Sequence, residues 1–197
     1  MRLFLALDLD AAARARTVEV QRRARRAPAL RDVAVRWVRP ENLHLTLAFL
    51  GEVDAGRAAP MARAAAEPWR HAPFRVELAT ADVAPPSGAP RTLWLSVSAG
   101  RAPLARLHAE ARARMGPLLS APVDPRPPGH VTLGRLRRAP RSSGGRVREA
   151  VAGLAVPAFG WRVDSVALYE SRLAPGGASY RPLARAPLGC VILDAVP

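Results

Sequence analysis

The 197-residue chain contains no lysine: all 30 of its basic residues are arginine, against 16 acidic residues. The formal net charge of +14 favours a polyanionic partner, with nucleic acid first. Heavy use of Ala, Pro and Gly is typical of a GC-rich genome, and compositional drift would supply part of this charge. The charge therefore carries limited weight for function, although it predicts salt-sensitive attraction to phosphates.

Cysteine is also scarce, since Cys190 is the single one in the sequence. One cysteine excludes an internal disulfide framework and a cysteine-cluster metal site, and its apolar setting predicts a core residue in a late strand. No run approaches the roughly 18 apolar residues of a membrane span. The opening run from Met1 to Leu7 is too short for a signal peptide and meets Asp8 at once. We therefore expect a cytoplasmic protein without a membrane segment.

Two short motifs repeat an imidazole and a hydroxyl at one spacing: His44 and Thr46 in the first, His130 and Thr132 in the second. The chain has only four His and five Thr, so the repeated spacing indicates an internal repeat. Both motifs lie in alternating apolar runs, and on a strand residues i and i+2 face the same side. Two such pairs facing one cleft could transfer protons at both ends of a phosphodiester.

Alternation, capping residues and turn residues predict the elements around these motifs. Strands are predicted at 2–8, 33–38, 43–50, 74–83, 92–98, 161–171, 179–183 and 190–193, and at the motif of His130 and Thr132. Helices are predicted from a cap at Asp10 to about Ala27, at 57–69 with Pro60 in the first turn, at 103–115, and after a cap at Ser142 or Ser143.

The order of these elements predicts a duplicated α+β unit. The two motif strands lie 86 residues apart, and each is preceded by a strand and a helix and followed by a helix. No Gly-rich phosphate loop of a nucleotide-binding fold is present. We therefore predict one domain over residues 1–197, built as two lobes with a cleft between them.

Three blocks of the sequence, 2–9, 42–53 and 130–135, resemble the RNA 2′,3′-cyclic phosphodiesterases of the LigT type, which belong to the 2H phosphoesterase superfamily. Segments 167–171 and 180–183 are also similar, so the resemblance covers nearly the whole chain in order. The chain differs from the family pattern just before the second motif. Members commonly carry an aromatic residue and a proline there, whereas Gly129 precedes His130 here.

The resemblance implies an α+β fold of two pseudo-symmetric lobes, each an antiparallel sheet with flanking helices, around a central cleft. It implies a monomeric, metal-independent hydrolase without a cofactor, which opens a 2′,3′-cyclic phosphate to a 2′-phosphomonoester. The implied substrates are RNA ends or cyclic nucleotides, with 2′-5′ joining of RNA as the reverse reaction and no obligate protein partner. His44 is implied as the general acid for the leaving 3′ oxygen and His130 as the base for water. The sequence alone does not orient the pair.

Other residue types near the motifs suit a phosphate site. Imidazole titrates near neutral pH, and the hydroxyls of Thr46 and Thr132 are proper donors to nonbridging oxygens. By the resemblance, Arg135 is the phosphate-binding arginine, and its guanidinium can neutralise developing charge. Arg135 follows His130 at an odd offset, so a bulge or strand end must bring it to the same face. Phe49, also at an odd offset, could stack on the terminal base if the strand twists at Gly51.

Two other interpretations stay open at this point. In one, the same cleft of His, Thr and Arg side chains binds RNA or a nucleotide without catalysis. In the other, His44 and His130 bind a metal ion, although two His without Cys or an evident carboxylate make a poor zinc set. His71 and His108 are predicted to be structural or exposed.

Overall fold

The computed structural model describes residues 1–137, 144–174 and 177–189. These residues form ten strands: β1 (Arg2–Asp8), β2 (Ala34–Trp37), β3 (His44–Glu52), β4 (Trp69–Arg70), β5 (Phe74–Ala84), β6 (Thr92–Ala99), β7 (His130–Arg137), β8 (Phe159–Val163), β9 (Ser165–Ala174) and β10 (Gly177–Gly189). They also form five α-helices: α1 (Ala11–Arg26), α2 (Pro28–Arg31), α3 (Ala55–Ala66), α4 (Arg101–Met115) and α5 (Gly144–Ala152). Two short 3₁₀ helices lie at Pro40–Asn42 and Gly116–Leu118. The predicted α+β class is confirmed.

The strands join in the order β4-β10-β9-β1-β3-β7-β6-β5-β8, and β2 pairs with β7 beside β3. We call β4, β10, β9, β1 and β3 the first half-sheet and the remaining strands the second half-sheet. The pairings are antiparallel except that of β4 with β10. The two half-sheets meet at one register pair, Leu45 with Val131, after which β2 takes the place of β3 along β7. The motif strands therefore diverge from a shared point.

Neither half-sheet is one contiguous segment of the chain. The first half-sheet joins β1, β3 and β4 to β9 and β10, from both ends of the described chain, whereas the second joins β2 to β5, β6, β7 and β8. The sequence predicted one long strand at 161–171, but the chain divides at Asp164. There β8 ends its pairing with β5, and β9 begins its pairing with β1. The break is the point where the chain crosses from one half-sheet to the other.

The helices begin and end close to the predicted positions, with one correction. The Asp10 side chain accepts the backbone N–H of Ala13 at 2.7 Å, as a cap of α1 should. Helix α3 begins at Ala55 and ends at Ala66, so Pro60 lies inside the helix instead of in its first turn. The predicted last turn is wrong because Trp69 begins strand β4 and is fully buried.

The later strands also differ in extent from the prediction. Strand β10 is 13 residues long, far longer than the predicted 179–183, because β9 lies alongside it over most of its length. The predicted strand at 190–193 and the predicted cap at Ser142 or Ser143 lie outside the described residues.

The core lies on the helix-covered face of the sheet. Helices α3 and α4 pack against the first half-sheet, and α1, α2 and α5 pack against the second. The apolar stripe predicted for α4 is buried, as are the alternating leucines of the central strands. The other face of β3 and β7 carries His and Thr and is left for the site. Within the described ranges, no helix combines the length and apolar character that a membrane crossing needs.

Candidate active site

Strands β3 and β7 expose their side chains in the same order. From the histidine onward, both alternate between half-buried and buried residues, then place two buried residues in succession. In β3 these two are Leu47 and Ala48, and in β7 they are Leu133 and Gly134. After the double step, the next side chain returns to the histidine face. This residue is Phe49 in one strand and Arg135 in the other.

The pairing registers identify the double step as a β-bulge in each strand. Thr46 pairs with Ala6 and Ala48 with Leu5, so Leu47 is the extra residue of β3. The extra residue of β7 is Leu133, since Thr132 pairs with Trp94 and Gly134 with Leu93. An extra residue reverses the alternation of faces along a strand. The odd offsets of Phe49 and Arg135 are therefore compatible with one common face, and the bulge anticipated for Arg135 is present.

A local twofold relation brings the two motifs together. Leu45 pairs with Val131 in antiparallel register. Extending this register by one residue in each direction sets His44 opposite Thr132, and Thr46 opposite His130. The two histidines are then diagonal neighbours, a relation that places backbone positions about 7–8 Å apart on an antiparallel pair. Both imidazoles stand on the same face of the sheet.

All six predicted site residues line one cavity of about 650 Å³: His44, Thr46, Phe49, His130, Thr132 and Arg135. Phe49 is 64% exposed, which is unusual for a large aromatic side chain in a strand, and its ring centroid lies 6.4 Å from that of buried Phe4. The guanidinium of Arg135 contributes positive charge near His130. These six residues bring two imidazoles, two hydroxyls, one cation and one exposed aromatic face to the cavity.

The His44 ring is held by hydrogen bonds at both nitrogens. Nδ1 lies 2.8 Å from the backbone oxygen of Asn42, which can only accept, so Nδ1 carries a proton. Nε2 lies 2.9 Å from Oγ1 of Thr46. Burial lowers the pKa of His44, while the Asn42 carbonyl and the charge of Asp8 oppose that effect. The orientation leaves Nε2 as the nitrogen next to the motif hydroxyl.

The surroundings of His130 differ in charge. Its ring stacks on Trp94 at a centroid distance of 4.6 Å and an interplanar angle of 29°. Burial lowers the pKa of His130, and the positive charge of Arg135 lowers it further. The cation Arg135 therefore disfavours the protonated form of His130, whereas at His44 the charge of Asp8 favours that form and the smaller effects of His130 and Arg14 oppose Asp8.

Aromatic side chains from distant strands form the wall beside His44. Phe4 lies 4.9 Å from the His44 ring, and Tyr180 meets the same ring edge-on at 5.2 Å, both measured between centroids. Tyr169 stacks on Phe4 at 5.5 Å and donates its hydroxyl proton to Asp8. Arg185 also pairs with Asp8, so the carboxylate that acts on His44 is fixed in place.

Several lining residues had not been singled out from the sequence. Trp94, Asn42 and Tyr180 belong to this group, and Asn42 also donates its side-chain N–H to the Ala178 carbonyl at 2.7 Å. Alternation in the predicted strand 92–98 places Trp94 on the face opposite the apolar residues, but only its pairing with Thr132 brings it to the cavity. Tyr180 comes from the end of the chain, and only the pairing of β10 with β9 brings it near His44.

The remaining histidines lie away from the cavity. His71 follows β4 and contacts Phe74 at a centroid distance of 5.3 Å. His108 is 3% exposed and faces two backbone carbonyls from inside the core. Among the residues described, no three His, Cys, Asp or Glu side chains come together as a metal-binding group would require.

The fold and the site define a duplicated α+β protein with two His-x-Thr strands around one cleft. Residues 7–94 and 95–180 each match the family model described as LigT like Phosphoesterase, and each match contains one motif. The chain belongs to this family.

Relatives of known name support the assignment over most of the chain. The RNA 2′,3′-cyclic phosphodiesterase of Methanothermobacter thermautotrophicus is 31% identical over 184 residues, covering 91% of this chain and 95% of that protein. The protein of the same name from Escherichia coli is 35% identical over 190 residues, covering 93% and 94%.

Solved structures share the fold. TT0787 of Thermus thermophilus superposes with a TM-score of 0.73 at 31% identity, covering 95% of this chain and 98% of that chain. LigT of Escherichia coli complexed with 3′-AMP superposes with a TM-score of 0.69 at 31% identity, covering 95% and 97%. The expected relation to LigT-type proteins is thereby confirmed.

Proposed function

We propose that this protein hydrolyses 2′,3′-cyclic phosphate ends of RNA to 2′-phosphomonoesters by two-histidine acid and base catalysis. The observation that carries the proposal is the pair of His-x-Thr motifs, related by a local twofold, that line one cavity with Arg135. The names of the relatives, and the 3′-AMP bound to Escherichia coli LigT, support a nucleotide with a terminal phosphate as the ligand.

The charges around the two rings support an assignment of roles. Asp8 and the Asn42 carbonyl favour the protonated form of His44, which suits a general acid. Arg135 favours the neutral form of His130, which suits a general base. We therefore assign His44 to the leaving 3′ oxygen and His130 to the attacking water.

The proton transfers then balance within one turnover. His130 takes a proton from water as the hydroxide oxygen bonds to phosphorus, and His44 gives a proton to the 3′ oxygen as its bond to phosphorus breaks. Exchange with solvent restores the two rings. Thr46 and Thr132 donate to nonbridging oxygens, and the guanidinium of Arg135 neutralises the charge that develops on them.

The pH dependence of kcat/KM should be bell-shaped, with both limbs below the ordinary imidazole pKa of 6.5. Activity rises as His130 loses its proton and falls as His44 loses its own. Burial lowers the pKa of both groups, so both limbs move to lower pH. In Arg135→Gln the acid limb should move to higher pH, because the charge that lowers the pKa of His130 is removed. An acid limb that stays in place in this variant would contradict the assignment of His130.

Phe49→Ala should raise KM by about 5- to 150-fold with a small change in kcat, because base stacking is worth about 1–3 kcal/mol. Phe49 presents an exposed ring at the cavity, well placed to stack on the terminal base. Leu173→Ala is the matched control, since Leu173 is 71% exposed and lines the same cavity without a π face. Equal rises in KM for the two variants would show that Phe49 is not a stacking platform.

Product analysis tests the proposed function directly. An oligonucleotide with a 2′,3′-cyclic end is incubated with the protein, and a nuclease that distinguishes 2′- from 3′-phosphate identifies the product. The proposal requires a 2′-phosphate and activity that persists with chelator. A 3′-phosphate would reverse the roles of His44 and His130. Binding without turnover would favour the non-catalytic module, and loss of activity with chelator would favour a metal at the histidine pair.

The proposal includes the further expectations from the sequence. We expect a single bilobal domain that acts as a cytoplasmic monomer, with 2′-5′ ligation as the reverse reaction. The chain passes several times from one half-sheet to the other, so neither half-sheet is built from one contiguous segment. This connectivity supports one domain. Size-exclusion chromatography, cell fractionation and incubation with paired RNA ends test these expectations.

A further inference from the structure

Each bulge of the motif strands leaves one backbone carbonyl in the core. Leu47 and Leu133, the extra residues of β3 and β7, are at most 1% exposed. The extra residue of a bulge falls out of the regular ladder of hydrogen bonds. A buried carbonyl without a donor costs about as much free energy as a lost hydrogen bond. The Leu133 carbonyl accepts the backbone N–H of Val38 at 2.9 Å, and both bulge carbonyls also have a side-chain donor from a helix.

In each half-sheet a buried polar side chain of a helix contacts the bulge carbonyl. Gln21 of helix α1 donates from Nε2 to the Leu133 carbonyl and to the Val38 carbonyl, both at 2.9 Å. His108 of helix α4 has Nδ1 2.9 Å from the Leu47 carbonyl oxygen and Nε2 2.9 Å from that of Asp124. Both side chains are 3% exposed, so neither reaches the cleft itself.

The two sets of contacts are equivalent under the internal repeat. Val38 and Asp124 each lie six residues before a motif histidine, and Leu47 and Leu133 each lie three residues after one. Gln21 and His108 stand 87 residues apart, one more than the spacing of the motifs. Gln21 thus links the segment before β3 to the bulge of β7. His108 links the segment before β7 to the bulge of β3.

The two side chains achieve the same contacts with different chemistry. An amide nitrogen carries two N–H bonds, so Gln21 satisfies two carbonyls from one atom. The Leu47 carbonyl can only accept, so its contact with His108 needs a ring proton on Nδ1. Packing alone would not select a hydrogen-bonding side chain at both positions, because an apolar residue would fill the space equally well.

We propose that Gln21 and His108 are paired positioning residues of the site: each holds one bulge carbonyl and thereby fixes the side chain two residues beyond it. Gln21 acts through Arg135, and His108 acts through Phe49. Their effect on turnover rests on the function proposed above, whereas their effect on the bulges does not.

The first test compares His108→Met with His108→Gln. The two replacements have similar shape, but only Gln carries the two donors that Gln21 uses. We expect His108→Met to lower kcat/KM on the order of 10-fold, mainly by raising KM, and His108→Gln to stay within about 3-fold. In the His108→Met background, Phe49→Ala should lose most of its effect. Equal kinetics for the two variants, or full additivity with Phe49→Ala, would overturn the proposal.

The second test uses the other half-sheet and stands if His108→Met does not fold. Gln21→Met should lower kcat on the order of 10-fold, and Arg135→Ala should cost less in that background than in the wild type. Thr17→Val is the matched control: Thr17 is buried in the same helix, but its hydroxyl donates to Ala13 within α1. A loss of kcat in Thr17→Val equal to that in Gln21→Met would assign the effect to the helix.

Amide hydrogen exchange separates this proposal from the proposed function. His108→Met should speed exchange at 47–50, and Gln21→Met should speed it at 133–136, each more than in the opposite half-sheet. If the wild type fails to open a cyclic phosphate but these local changes occur, the function is wrong and the positioning role holds. Unchanged amide exchange rates at 47–50 and at 133–136 in both variants would contradict the positioning role, even if the enzyme is active.

Discussion

Replacing either motif histidine with alanine is expected to lower kcat by about 10²–10⁴-fold, with the fold intact. Each ring supplies one of the two proton transfers, and neither transfer has another imidazole in the described cavity to take it over. His44→Ala should also abolish the alkaline limb of the pH profile and His130→Ala the acid limb. Steady-state kinetics across pH on a cyclic-phosphate-ended oligonucleotide measures both effects.

The double variant, His44→Ala with His130→Ala, tests whether the two rings act in the same step. Residues that act in one concerted step are strongly non-additive, so losing both histidines should cost little more than losing one. His71→Ala is the control, because His71 lies after β4 and away from the cavity. Circular dichroism spectra that match the wild type show that the losses are not unfolding. Turnover near the wild-type rate in either single variant would end the two-histidine mechanism.

Arg135→Ala is expected to lower kcat by about 10²–10³-fold, the cost of removing one donor to a developing oxyanion. Arg135→Lys should retain part of the rate, because it keeps the charge but loses the planar pair of donors. The effect should fall on kcat more than on KM, since the charge on the nonbridging oxygens grows in the transition state. Single-turnover rates with saturating enzyme measure it without interference from product release.

Arg137 offers a matched control two residues farther along β7. It is exposed on the same face, pairs with Ala34 and lines a separate shallow depression with Arg36. Arg137→Lys and Arg137→Ala should therefore leave kcat within about 2-fold, as surface substitutions usually do. Equal losses at the two positions would remove Arg135 from the site and leave only a general effect of positive charge.

The bulges connect these predictions to the fold. Without the extra residue in β7, Arg135 would point into the helix-covered face, since side chains alternate along a strand. Gly134 also lies at this step, where a Cβ atom would stand 2.9 Å from a methyl carbon of Val35. The close approach of β2 to the bulge thus fixes both the backbone path and the direction of the guanidinium.

The shared face of the His and Thr of each motif could be predicted from the order of the residues. The spacing of His44 to Thr46 and of His130 to Thr132 sufficed, because a strand places residues i and i+2 on one face whatever surrounds it. The apolar stripe of α4 and the cap at Asp10 were predictable for the same reason, since each depends on neighbours within a few residues.

The way in which the two motifs share one cavity required the three-dimensional structure. The crossing at Asp164, the register at Leu45 and Val131, and the arrival of Tyr180 beside His44 all depend on pairing between segments far apart in the chain. The odd offset of Arg135 indicated a bulge or a strand end, but the position of each bulge required the structure, because a register shift is a property of two paired strands. Local periodicity specifies a face of a strand, but long-range pairing specifies which faces meet.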